Sequence, residues 1–177
     1  TARLVRALGV EARVLPATDD RLRTIVETPG GELALQDWFV RRGHRDKVDG
    51  LRFEGAHSAR AAPGVLDAID RASVVLIAPS NPYISIWPIL AVREIRTALE
   101  RKRAPVVAVS PVIGGKAVKG PVDAMLRRLS GGTTPAHVAR CYPGMLDALV
   151  IDQEDADGAA ALEAVRIRPF VTRTLMT

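Results

Sequence analysis

The 177 residues are 47% hydrophobic and 25% charged, a balance that suits one soluble domain with material for a core and excludes a disordered chain. No window approaches the roughly 20 uninterrupted apolar residues of a membrane span, and no short basic-then-apolar leader opens the chain, so a cytoplasmic location is expected. A net charge of +5 and a pI of about 10.0 favour anionic partners such as nucleotides and phosphates.

The chain opens inside a helical pattern, with Leu4, Val5 and Leu8 leading to Gly9 as a helix stop, and without an initiator Met. It therefore reads as part of a longer protein. LPATDD then sets Thr18, Asp19 and Asp20 side by side before RLRTIVETPGGELALQDWFVRR, two β-like runs joined by Thr-Pro-Gly-Gly and expected to form an antiparallel hairpin. Leu35, Trp38 and Phe39 on that hairpin fit a homodimer surface as well as an ordinary core contact. The basic runs FVRRGHRDK and ERKRAP read as solvated faces and not nucleic-acid contacts, because only two Trp, two Tyr and three Phe are available for base stacking.

LRFEGAH (51–57) reads as a short strand and PGVLDAIDRA (63–72) as a helix. SVVLIAP (73–79) is a continuous apolar run, expected to be a strand covered on both faces. Helical spacing follows through Ile86, Ile89, Leu90, Ile95 and Leu99, then a second strand-like run, APVVAVSP (104–111). A Gly and Lys loop leads into PVDAMLRRLS, where Pro121 suits a helix's first turn. TPAHVARCY reads as another helix and MLDALVID (145–152) as a third core strand ending at Asp152. This alternation predicts an α/β fold, a Rossmann-like open, mostly parallel sheet with helices on both faces, plus a β-hairpin insertion. The expected organisation is a single domain over 1–177, incomplete at both ends, with a hairpin subregion at 18–57 and a nucleotide-binding βαβ core at 63–177.

In such sheets ligands bind beyond the carboxyl ends of the strands. The loop PSNPYIS offers the Ser80 and Ser85 hydroxyls, the Asn81 amide and free backbone N–H groups near a helix start, where phosphate is favoured. The same residues read equally as a helix cap, with Ser85 as N-cap and Asn81-Pro82 as a turn. In SPVIGGKAVKGP, Gly114, Gly115 and Gly120 allow close backbone approach while Lys116 and Lys119 can neutralise phosphate oxygens. This is not a Walker A loop, because Ala117 follows Lys116 where a Ser or Thr would hold magnesium. A flexible surface turn with two solvated lysines competes with the functional reading. Asp19 and Asp20 could bind a metal or accept hydrogen bonds, although Asp-Asp is also common in turns. His44, His57 and His137 stand in no triad or H-E-x-x-H arrangement, and Cys141 lacks CxxC or Cys/His ligand spacing.

Taken together, LPATDD, LALQDWFV, APSNPYISIWPILAV, VVAVSPVIGGKAVKGP, ARCYPGMLDALVID and TLMT resemble the 2-phospho-L-lactate transferase family, which builds the deazaflavin coenzyme F-420. The resemblance covers nearly the whole chain, in order. It implies a transferase that moves a phospholactyl or phosphoenolpyruvyl group from a guanosine diphosphate adduct to the ribityl hydroxyl of the deazaflavin Fo, releasing GMP with the help of magnesium. It places Ser80, Asn81, Pro82, Ser85, Gly114, Gly115, Lys116 and Lys119 around the nucleotide and its diphosphate, and Thr18, Asp20 and Gln36 on the acceptor side. The family's Gly-rich phosphate loop and acidic metal cluster lie in an N-terminal part that this chain does not contain, so the segment alone is expected to be inactive. The alternative is a non-enzymatic, nucleotide-sugar-binding regulator of similar fold, whose corresponding loop reads closer to Gly-Ser-Leu-Tyr; the Asn81-Pro82 pair and GGKAVKG favour the transferase.

Overall fold

The helical opening is short: α1 (Ala2–Ala7) gives way at Gly9, which takes φ 65°, in a computed structural model that describes residues 2–9, 11–101 and 103–175. Lys102, the last two residues of TLMT and the side chain of Leu4 lie outside the described residues.

The hairpin forms where Thr-Pro-Gly-Gly placed it. β1 (Arg23–Thr28) and β2 (Gly31–Ala34) pair antiparallel, and β3 (Gly50–Glu54) joins the other edge of β1. The second run is shorter than its β-like composition suggests. After Ala34 the chain coils into a single π-helical turn, Asp37–Arg41, which buries Trp38 while Phe39 stays partly exposed. The Trp38 indole explains the turn, since its Nε1 donates to the Asp46 carbonyl at 3.1 Å while its ring sinks into the core.

A short helix, α2 (Val65–Asp70), leads into the parallel sheet. Its strands are β4 (Val75–Ile77), β5 (Val106–Val109), β8 (Ala148–Asp152) and β9 (Arg168–Thr172), hydrogen-bonded in that order. Between β4 and β5 run α3 (Trp87–Leu90) and α4 (Arg93–Arg101), a pair where one helix was expected. Pro88 cannot donate a backbone hydrogen bond, and the first helix closes at Ala91. Between β5 and β8 lie a two-stranded ribbon, β6 (Val112–Ile113) with β7 (Lys116–Ala117), then α5 (Val122–Ser130) and α6 (Pro135–Ala139). A 3-10 turn (Gln153–Gly158) and α7 (Ala159–Glu163) connect β8 to β9.

The strand order runs in one direction, so right-handed crossovers bring the connecting helices to the same face. On that face Ile77, Val106, Ala108, Leu149 and Ile151 are buried. The other face is barer: Leu76 is 70% exposed and Phe170 42%. Residues 73–79 therefore differ from the expected strand covered on both faces, because the apolar run alternates inward and outward and the described residues cover only one side. One apolar cluster joins the two sheets, from Val26, Trp38 and Val48 to Leu126, Leu149 and Leu162.

Gly55 links the hairpin to the rest. It takes φ 84°, and a Cβ there would land on the Arg21 carbonyl oxygen. Gly131 has a similar φ of 82° but open space around it. Gly131→Ala should cost about 1 to 2 kcal/mol of left-handed strain, whereas Gly55→Ala should cost more than about 3 kcal/mol because backbone must move as well. Urea unfolding of the two variants checks this ordering, and equal losses would show that the contact at Gly55 relaxes freely.

Candidate functional site

The carboxyl ends of β4 and β5 open into a crevice of about 450 Å³. Ser80, Asn81 and Ser85 line it from the turn after β4, Ser110 from the end of β5, and Lys119 and Gly120 from the approach to α5. Phe39 of the π-helical turn and Thr174 beyond β9 complete the wall.

The first turn is set by Asn81. Its backbone is extended (φ −63°, ψ 115°), as a residue before proline prefers, and Pro82 opens a π-helical turn, Pro82–Ile86. The Asn81 Oδ1 accepts the Tyr83 N–H at 3.0 Å, and Nδ2 donates to the Met125 sulfur at 3.3 Å. Asn81 is thus the cap, the role expected of Ser85. Ser85 lies inside the turn, where its N–H donates to the Asn81 carbonyl at 3.0 Å and its side chain faces the crevice. Tyr83 is buried and its hydroxyl meets Ser130 Oγ at 2.6 Å, at the end of α5. Burial pushes the Tyr83 pKa up, which keeps the phenol neutral and its hydrogen bond intact.

The second loop is held by acids. The Ser110 hydroxyl, buried at the end of β5, donates to the Val112 carbonyl at 3.1 Å and accepts the Val112 N–H at 3.3 Å. At the tip of the ribbon the Gly114 N–H donates to Asp155 Oδ2 at 3.0 Å. Burial raises the Asp155 pKa, and the Gly114 and Gly115 N–H groups oppose that rise. Asp152, 7% exposed, accepts the Thr174 N–H at 2.7 Å, the Thr174 hydroxyl at 2.9 Å and the Glu154 N–H at 3.1 Å. These bonds, led by the Thr174 N–H, hold the Asp152 pKa below its ordinary value.

Of the residues proposed from sequence for the nucleotide, Ser80, Asn81, Ser85 and Lys119 share the crevice. Pro82 is buried behind it. Gly114, Gly115 and Lys116 are on the ribbon and do not line it; the Gly114 N–H that phosphate would need is already given to Asp155. Thr18, Asp20 and Gln36 do not line it either. The Thr18 hydroxyl accepts the Asp20 N–H at 3.0 Å, and Asp20 accepts the Arg60 N–H at 2.8 Å, tying the LPATDD turn to the loop after β3. Ser110, Thr174 and Phe39 were missed as lining residues. Ser110 had a signal, its place at the carboxyl end of an apolar strand run, whereas Thr174 reaches the crevice only because of β9, which follows a segment without a clear period.

Magnesium is normally held by one or two carboxylates with several waters. The crevice lining supplies hydroxyls, an amide and an amine but no carboxylate, and the described residues contain no group of three or more His, Cys, Asp and Glu able to hold a metal. The lining residues therefore do not fit a magnesium site by themselves.

A family model described as 2-phospho-L-lactate transferase CofD matches residues 1–167. The chain belongs to this family. It is 41% identical over 175 residues to the 2-phospho-L-lactate transferase of Methanopyrus kandleri, covering 97% of this chain and 54% of that protein. It is 43% identical over 163 residues to the phosphoenolpyruvate transferase of Thermobifida fusca, covering 89% of this chain and 50% of that protein. The chain thus spans about half the length of the curated relatives it matches. A crystal structure of a upf0052 family member from Bacillus halodurans shares the fold, with a TM-score of 0.70 at 18% identity over 99% of this chain and 59% of that one. The fold is the expected α/β, Rossmann-like one, with its family in agreement with the motifs around Asn81 and Lys119.

The depressed pKa of Asp152 fixes the sign of one pH dependence. A carboxyl held below its ordinary value of 3.8 stabilises the fold fully above that value and loses its contribution as pH falls through the lower folded one. Asp152→Asn should lower the melting temperature at neutral pH, with the gap to the unsubstituted chain narrowing as pH falls from about 5 through the acid range. Thermal melts across that window test it; a gap of constant size would show that the carboxylate charge contributes nothing.

Proposed function

We propose that the parent protein transfers a phosphorylated three-carbon acid, phospholactyl or phosphoenolpyruvyl, from a guanosine diphosphate adduct to the primary hydroxyl of the deazaflavin Fo. The observation that carries this reading is the convergence of the Ser80 and Ser85 hydroxyls and Lys119 on one crevice at the carboxyl ends of β4 and β5, where Ser110, its hydroxyl engaged with Val112, shapes the wall. Donors of this kind suit a diphosphate, and Lys119 adds a charge that neutralises its oxygens. In the reaction the acceptor oxygen attacks the phosphorus bearing the acid, the bond from that phosphorus to the bridging oxygen breaks, and GMP leaves with the electron pair. The hydroxyl proton passes to solvent.

Such transfer depends on positioning and charge stabilisation more than on a strong base, which agrees with a lining that holds hydroxyls and an amine. Gln36 stays on the acceptor side of the proposal because it precedes the turn that carries Phe39, which lines the crevice and offers an apolar surface to a deazaflavin, while Thr18 and Asp20 keep that place on the family resemblance alone. Magnesium enters the proposal only with ligands from outside this chain.

The test uses the full-length parent with magnesium, Fo and, separately, the diphosphate-linked adducts of GMP with 2-phospholactate, phosphoenolpyruvate and 3-phosphoglycerate. GMP release and the mass of the deazaflavin product are followed. Product from one donor supports the transferase and names its acid, whereas tight nucleotide-sugar binding without product supports the regulator. Lys119→Ala should lower kcat/KM by about fivefold to tenfold, the loss of one screened, charge-assisted hydrogen bond, while Lys116→Ala should change it less than about twofold. Equal effects of the two would remove the crevice as the donor site.

A further inference from the structure

A second cavity, of about 410 Å³, lies between β3, α3, α4 and the segment that follows α6, and shares no lining residue with the first. Its size is in the range of small-molecule sites. Trp87, Leu90 and Met145 give it an apolar wall, and the Trp87 indole is fixed by a 2.8 Å hydrogen bond from Nε1 to the Cys141 carbonyl.

Two features suit this cavity to an anionic ligand. The charged residues that line the cavity are Arg96 and Arg140, with no carboxylate among its lining residues. Arg140 makes no ion pair with another described residue, and Arg96 engages Glu100 through Nε at 2.9 Å, leaving its terminal amino groups free of that contact. Tyr142 also lines the cavity; the residue is 2% exposed, its hydroxyl makes no hydrogen bond among the described residues, and that oxygen stays open to solvent, so its proton is available to a ligand.

We propose that this cavity binds a small apolar molecule carrying one anionic head group, its body against Trp87, Leu90 and Met145 and its head against Arg140 and Arg96. The Tyr142 hydroxyl donates a further hydrogen bond to the ligand. The chemistry is common to carboxylates and phosphate monoesters of short hydrocarbon chains, since a guanidinium fork accommodates either.

Calorimetric titration of the full-length parent with octanoate and with octyl phosphate, against 1-octanol as the uncharged control, tests this. At least one anion should saturate a single site, and 1-octanol should bind at least about tenfold more weakly. Arg140→Ala should weaken the anion by about tenfold, Arg140→Lys by less, and Ala91→Trp should fill the cavity and abolish binding. Which anion wins names the head group. Circular dichroism melts establish that the variants fold; Arg140 is exposed, so its replacement is tolerated by the core. Anions that bind no tighter than 1-octanol overturn the proposal, as does binding that survives both Arg140→Ala and Ala91→Trp in folded protein. Lys119→Ala should leave this binding intact, so the outcome is independent of the transferase assignment.

Discussion

The carboxamide of Asn81 holds together the part of the molecule on which the crevice depends. Its oxygen takes a backbone N–H of the turn that follows and its nitrogen reaches the Met125 sulfur on α5, so one side chain closes a strand-to-helix turn and joins it to the next crossover. Tyr83 repeats the link two residues later through Ser130. Both contacts bind the turn after β4 to α5, and both walls of the crevice descend from them. Among the described residues the Ser80 and Ser85 hydroxyls make no side-chain bonds of their own, while Tyr83 and Met125, which fix the loop, are buried. A pre-organised donor set of this type loses little on ligand binding, because the loop is ordered before the ligand arrives.

Acids do the corresponding work at the other loops. Asp147 accepts the Val106 N–H at 2.7 Å, Asp152 gathers Thr174 and Glu154, Asp155 takes Gly114, Asp20 takes Arg60, and Glu94 accepts the Ala61 N–H at 2.8 Å. Each carboxylate satisfies a backbone donor that a loop would otherwise leave to solvent. The consequence for the crevice is electrostatic: the nearby acids face backbone N–H groups and none lines the cavity.

Much of this was legible in the sequence. Continuous apolar runs gave β4, β5 and β8 within a few residues, and Thr-Pro-Gly-Gly gave the hairpin, because period and turn chemistry are local. What escaped has non-local causes. The turn at 37–41 follows from burial of Trp38, which overrides a β-like composition. β9 is an edge strand containing Pro169, paired to β8 through a register that no short window contains. The ribbon residues Gly114, Gly115 and Lys116 matched a phosphate-loop composition, yet Asp155, which takes the Gly114 N–H, lies 41 residues away in sequence. Composition reveals which donors exist, and only the fold reveals which are already used.

An anion bound in the crevice as proposed would draw on several small contributions. Pro121 and Val122 place the start of α5 at its wall, where the helix dipole favours an anion by roughly 0.3 to 1 kcal/mol. Lys119 is exposed, so its charge is screened by water and salt and contributes on the order of 1 kcal/mol. The Ser80 and Ser85 hydroxyls would each add a hydrogen bond of about 1 kcal/mol net. No single group then commands the affinity. A diphosphate, which offers many acceptor oxygens at fixed spacing, can engage several donors together, whereas a lone anion engages one or two. On the proposed reading that difference, and not the basic pI, would set the site's selectivity: Lys and Arg elsewhere on the surface raise the general field without supplying a second donor at the right distance.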